Sequence, residues 1–142
     1  MKKVNLARVI VGGILAGTII NVSEWVLHDV VMREEFRSHL GSLGRTNPED
    51  VATVVWWNVW GYILGFTAIW LYAAIRPRYG AGAGTAIIAG VAVWVMAHLW
   101  SGVYLGMGFM GLIPPKLAYL PVAWGLGEAV LGALAGAWLY KE

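Results

Sequence analysis

The chain contains no cysteine. That excludes disulfides, thiolate nucleophiles, cysteine-ligated iron–sulfur clusters and cysteine-based zinc sites. Charge is scarce as well: Asp, Glu, Lys and Arg make up 13% of the residues, where a soluble domain carries about a quarter. The motifs of soluble catalysis are missing, with no G-x-S-x-G, no H-E-x-x-H, no P-loop and no dinucleotide fingerprint. The glycine-rich GAGAG at 80–84 follows no strand and reads as a turn. The net charge is only +2, and no basic stripe interleaves with aromatics, so nucleic acid is not an expected partner.

What is present is apolar. Hydrophobic residues make up 59% of the 142, and the mean hydropathy is +0.67. Long apolar runs lie at about 6–28, 51–75, 82–105 and 117–140. Crossing a bilayer takes about 20 apolar residues. The expected fold is an all-α integral membrane protein, a four-transmembrane-helix bundle forming one domain over 1–142, with the lipid bilayer as its first partner. The start, MKKVNLARVIVGGILAG, has the basic end of a signal peptide. Its apolar run continues to Val22 without an A-x-A-like cleavage site, so it reads as an uncleaved first span.

The links between runs differ. Residues 32–50 form the one long polar loop, whose first half suits a short amphipathic helix on the membrane. In TNPED, Asn47 is the expected N-cap of the second span and Pro48 its first helical residue. RPRYGAGAG, 76–84, reads as a tight turn. GMGFMGLIPP, 106–115, reads as a helix exit and an interfacial or re-entrant piece. With four spans, Lys2, Lys3, Arg8, Arg76, Arg78 and Lys141 share one side, and Arg33, Arg37, Arg45 and Lys116 the other. The positive-inside rule then puts both termini in the cytoplasm.

Against this background NVSEWVLHD, 21–29, stands out, with a carboxylate and an imidazole one turn apart inside an apolar run. At 1.5 Å per residue, Glu24, Asn58 and His98 lie ~27, ~25 and ~24 Å from the cytoplasmic ends of their spans, and Glu128 ~18 Å. At about 100° per residue, Gly13, Gly17, Asn21, Glu24 and His28 share one face of the first span. Pro121, Gly125, Glu128, Gly132 and Gly136 share a face of the fourth, Asn58, Gly61 and Gly65 one of the second, and Trp94, His98, Ser101 and Gly102 one of the third. Each span thus carries a small-residue face with a polar group set into it, as helix seams in membranes do. Asn21, Glu24, His28, Asn58, His98, Ser101 and Glu128 are the candidate site residues, in the outer half of the bundle. Tryptophans 56, 57 and 60 crowd the outer end of the second span, where an interfacial belt is expected.

Several chemistries suit such a cluster. Hydrogen bonds between helices are the plainest, although an ionisable residue within a span costs about 2.5–3.5 kcal/mol to insert, which is much for glue alone. A proton, ion or small-solute site would use the same groups, with His28 and Asp29 at its mouth. Below Glu128 only Thr18 and Thr67 could continue a path. Glu24, His28 and His98 are candidate ligands of a metal such as zinc or iron, although the paired Glu-x-x-His motifs of di-iron bundles are absent. His98, with His28 as a second axial ligand, could hold a tetrapyrrole. An enzyme built into the bundle would use Glu24 or His98 as general base, but no substrate is implied. The reading adopted is a small-ligand, ion or proton site in a membrane bundle. The alternative is an accessory or scaffold subunit of a homo-oligomer or larger membrane complex.

The stretch WLYAAIRPRYGAGAGTAIIAGVAVW, 70–94, with GGILAG near the start and GAWLY near the end, resembles a group of small bacterial four-span membrane proteins of unknown function. The resemblance implies a multi-pass protein of the bacterial cytoplasmic membrane. It implies no activity, cofactor or site residue.

Overall fold

The computed structural model describes residues 4–45, 50–107 and 111–140. These residues contain four helices long and apolar enough to cross a membrane: Leu6–Val31, Val51–Tyr79, Ala83–Gly106 and Pro115–Leu139. A shorter helix, Arg33–Ser42, follows the first span within the polar loop. No strand occurs among the described residues.

The helix ends follow local chemistry. Asn5 caps the first span, its Oδ1 accepting from the Arg8 amide at 3.2 Å. The second span begins at Val51 rather than beside Pro48. Asp50 is its cap, accepting from the Thr53 amide at 3.0 Å and from the Thr53 hydroxyl at 2.5 Å. The expected cap, Asn47, lies outside the described residues. The turn expected from Arg76 starts later, because the helix runs through Pro77 to Tyr79. So near the end, the proline forfeits only its own bond to the Ala73 carbonyl. The turn is made by Gly80 and Gly82, whose φ values of 89° and 139° belong to the region that favours glycine.

Two of the spans are not uniformly α-helical. Leu27–Val31 forms a π-helical turn at the end of the first span. Val95–Leu99 forms another within the third, and Val103–Met107 a third at its exit. Such turns close i to i+5 and hold one more residue than an α-turn.

The first span packs against the second and fourth, and the third against the same two, so the helices are arranged in chain order around a ring. The second and fourth also meet across its centre. Glycines let the backbones approach. A Cβ at Gly65 would lie 2.6 Å from the Gly17 Cα, one at Gly12 2.6 Å from the Gly136 oxygen, and one at Gly90 2.8 Å from the Ala129 oxygen. Ala16, Ile20, Ile69, Val93 and Ala133 fill the middle. Exposed tryptophans, valines, isoleucines and leucines cover the outside of the four helices.

The two poles differ. At one, the Asn5 amide donates to the Tyr140 hydroxyl at 3.1 Å, joining the first span to the end of the fourth. Tyr72 packs edge-on against Tyr140, with centroids 5.9 Å apart, and accepts from the Gly82 amide at 3.3 Å. At the other pole, Lys116 at the start of the fourth span pairs with Glu35 of the loop helix.

Candidate functional site

Four ionisable side chains from three spans meet near the loop-helix pole. Glu24 is the hub. Its Oε2 lies 3.0 Å from His28 Nδ1, one turn on, and its Oε1 lies 3.3 Å from His98 Nε2 of the third span. His98 Nε2 is also 3.1 Å from Glu128 Oε1 of the fourth span. The donor atoms of Glu24, His98 and Glu128 all lie within 4.8 Å of one another. Burial deepens towards the fourth span: the side chains of Glu24 and His28 are 19% and 17% exposed, that of His98 13% and that of Glu128 0%.

Both histidines sit in π-helical turns, Leu27–Val31 and Val95–Leu99. His28 Nδ1 also lies 3.0 Å from the Glu24 carbonyl oxygen, and its ring packs against Phe36 and Trp57, with centroids 5.0 and 5.3 Å away. His98 has no partner at Nδ1. Its ring is held instead by Gly125, where a Cβ would come within 2.5 Å of His98 Cδ2.

In front of the cluster lies a cavity of about 600 Å³. Glu24, His28, Asn21, Asn58, His98 and Ser101 form its polar wall, while Trp25, Trp57, Trp60, Leu64 and Val122 are among the apolar residues that form most of the rest. Glu128 does not line it and stands behind His98. Asp29, Arg33, Phe36 and Arg37 line the cavity from the loop-helix side. Beyond Glu128 the interior closes on Ala16, Ile20, Ile69, Val93 and Ala133, all buried. Thr18 donates to the Ile14 carbonyl at 2.8 Å and lies 3.3 Å from the Tyr62 hydroxyl of the second span, and Thr67 donates to the Ile63 carbonyl at 2.7 Å. Among the described residues, none from the Tyr72–Tyr140 pole lines the cavity.

Of the seven sequence candidates, Glu24, His28, His98 and Glu128 come together. Glu128 joins the others despite its greater expected depth, its Oε1 lying 3.1 Å from His98 Nε2. Asn21 does not reach them: its Nδ2 donates to the Asn58 carbonyl at 3.1 Å and its side chain fills the space beside Gly61. The Asn58 side chain turns back to the Val54 carbonyl at 2.8 Å. Ser101 donates to the Ala97 carbonyl at 2.5 Å. These three line the cavity without touching the ionisable groups. The Glu24 carboxylate stands between the two imidazoles, so they do not face each other as an axial pair.

No protein-family model matches the chain, and comparison with curated proteins and with solved structures finds no match either. The site is therefore interpreted from its own residues. Sequence reasoning missed two groups. Arg33, Phe36 and Arg37 reach the cavity because the loop helix folds over its mouth, and their i, i+3, i+4 spacing was the available signal. Ser23, whose hydroxyl accepts from Trp124 Nε1 at 2.8 Å, ties the first span to the fourth beside the cluster, and nothing in its neighbourhood marks it.

Proposed function

We propose that the chain is a multi-pass protein of the bacterial cytoplasmic membrane, with both termini inside, whose bundle holds a small-ligand or ion site open to the outer half. The observation that carries this reading is the cavity of about 600 Å³ with Glu24, His28 and His98 on its wall and Glu128 behind them. A mostly apolar concavity with a few convergent polar groups is the usual form of a small-ligand site. Ionisable groups within a span are rare, and they tend to mark such sites. Among the described residues the interior beyond Glu128 is lined by buried apolar side chains such as Ala16, Ile20, Ile69 and Ala133, which favours binding over a conduit.

The scaffold alternative draws on the glycine seams. Most of those seams are used within the chain itself: Gly12 against Gly136, Gly17 against Gly65 and Gly90 against Ala129. That leaves fewer close-packing faces for a partner and favours the ligand reading. Native mass spectrometry of the protein released from mild detergent tests it. A retained small-molecule adduct is expected on the wild type. Ala97→Phe, which adds a ring to the cavity wall, and Glu24→Gln should both lose it. No adduct on the wild type, together with loss of a larger assembly in Gly127→Leu, where a built Cβ meets nothing within the chain, would support the scaffold instead.

A further inference from the structure

We propose that Glu24, His98 and Glu128 form a binding site for one divalent transition-metal ion at the floor of the cavity. The proposal rests on the ligand site described above, since Glu24 and His98 belong to both.

Three observations converge on it. The first is spacing. Bonds of about 2.0–2.2 Å to a shared ion put ligand atoms about 3.0 Å apart at right angles and about 3.4 Å apart at tetrahedral ones. His98 Nε2 lies 3.1 Å from Glu128 Oε1 and 3.3 Å from Glu24 Oε1. The second is orientation. Glu128 has a fully buried side chain, and neither of its oxygens has a hydrogen-bond partner. Its Oε1 approaches His98 Nε2 to 3.1 Å, within ion-pair distance. One ligand atom each from Glu24, His98 and Glu128 thus converges on a single small space, all within 4.8 Å of one another. The third is charge. Burying carboxylates without compensation is costly. The histidines supply balancing charge only when protonated, whereas a divalent ion offsets both carboxylates and leaves His98 neutral, as ligation requires.

The donor set defines the ion. Two carboxylate oxygens with one imidazole nitrogen suit zinc, iron(II) or manganese, not copper(I), which prefers sulfur. Three protein ligands leave a position open towards the cavity, as in catalytic rather than structural zinc sites. His28 is a positioning residue. By holding Glu24 Oε2 at 3.0 Å it turns Oε1 towards His98.

The test uses full-length protein in mild detergent, stripped with EDTA and dialysed against zinc, with bound metal measured by elemental analysis. One zinc per chain is expected for the wild type and for His39→Ala, which removes the loop histidine. Glu128→Gln and Glu24→Gln should weaken binding by at least about tenfold while eluting as the wild type does. Cobalt(II) should give visible absorption bands in the wild type that disappear in His98→Gln. Substoichiometric zinc, binding unaffected by Glu128→Gln, or binding lost in His39→Ala alone would overturn the proposal. Should Glu128→Gln fail to fold, Glu24→Gln decides. A small-molecule adduct that survives EDTA in a protein without zinc affinity would sink the metal site and spare the ligand site. Zinc binding without any adduct would do the reverse.

Discussion

Replacing Gly125 with alanine adds one methyl group directly beside the His98 ring. The new Cβ would stand 2.5 Å from Cδ2, 2.6 Å from Cγ and 2.9 Å from Nε2. Carbon atoms pack at about 3.5–4.0 Å, so the ring must retreat by about 1 Å. Cγ is the root of the ring, and the clash cannot be relieved by swinging its far end alone. His98 Nε2 now lies 3.3 Å from Glu24 and 3.1 Å from Glu128. A shift of about 1 Å takes at least one of these contacts beyond hydrogen-bonding or ligating reach. Overpacking costs about 1–3 kcal/mol, offset by up to about 1 kcal/mol from replacing a helical glycine with alanine. The net expectation is a loss of about 0–3 kcal/mol in stability and a fall of about 10–100-fold in zinc affinity. Gly127, two residues on, has nothing within 4 Å of a built Cβ. Gly127→Ala should therefore hold or raise stability and leave zinc binding unchanged. Thermal unfolding in detergent and zinc dialysis read both quantities. If Gly125→Ala binds zinc as the wild type does and melts no lower, His98 is not wedged by the fourth span and the reasoning fails.

Gly65→Leu should prevent the first two spans from seating, because the clash is with the Gly17 backbone, and the variant is expected to aggregate on size exclusion while Gly84→Ala elutes normally. The Thr53 hydroxyl and amide hold the Asp50 carboxyl below the usual aspartate range. Its capping contribution is thus complete above about pH 4 and lost as the pH falls through the lowered value. The melting temperatures of wild type and Asp50→Ala should differ at pH 7 and converge as the pH falls below the lowered value. Lys116 likewise lowers the Glu35 carboxyl, and this exposed pair should weaken with salt. Lys116→Ala should speed tryptic cleavage within Arg33–Arg45 at low salt and change little at high salt.

The spans were legible because an uninterrupted apolar run of 20 or more residues has few other uses. The meeting of Glu24, His98 and Glu128 was legible for a related reason. Few polar groups lie within these runs, and helical rise and rotation fix the height and face of each. Asn58 shows where that logic stops. Its height and face were suitable, but an amide can satisfy itself on the carbonyl one turn back, and this one does. The π-helical turns had no signal at all, since one extra residue in a turn leaves no mark on composition. Pro77 misled because a proline is read as a stop, although near a helix end it removes a single bond. The loop helix was anticipated, but its place over the cavity depends on contacts such as Glu35 with Lys116, 81 residues later.

The pairing of Glu24 with His28 also bears on how the protein is made. Chain order delivers the first span before His98 and Glu128 exist. During that interval His28 is the one member of the ionisable cluster that Glu24 can reach, because it belongs to the same helix. A carboxylate bound for an apolar phase is thus accompanied from the start by a partner synthesised four residues after it. The contacts to the third and fourth spans arrive later and replace none of that first one. The Glu24–His28 pair thus needs no helix but its own, whereas the contact of His98 with Glu128 needs the third and the last.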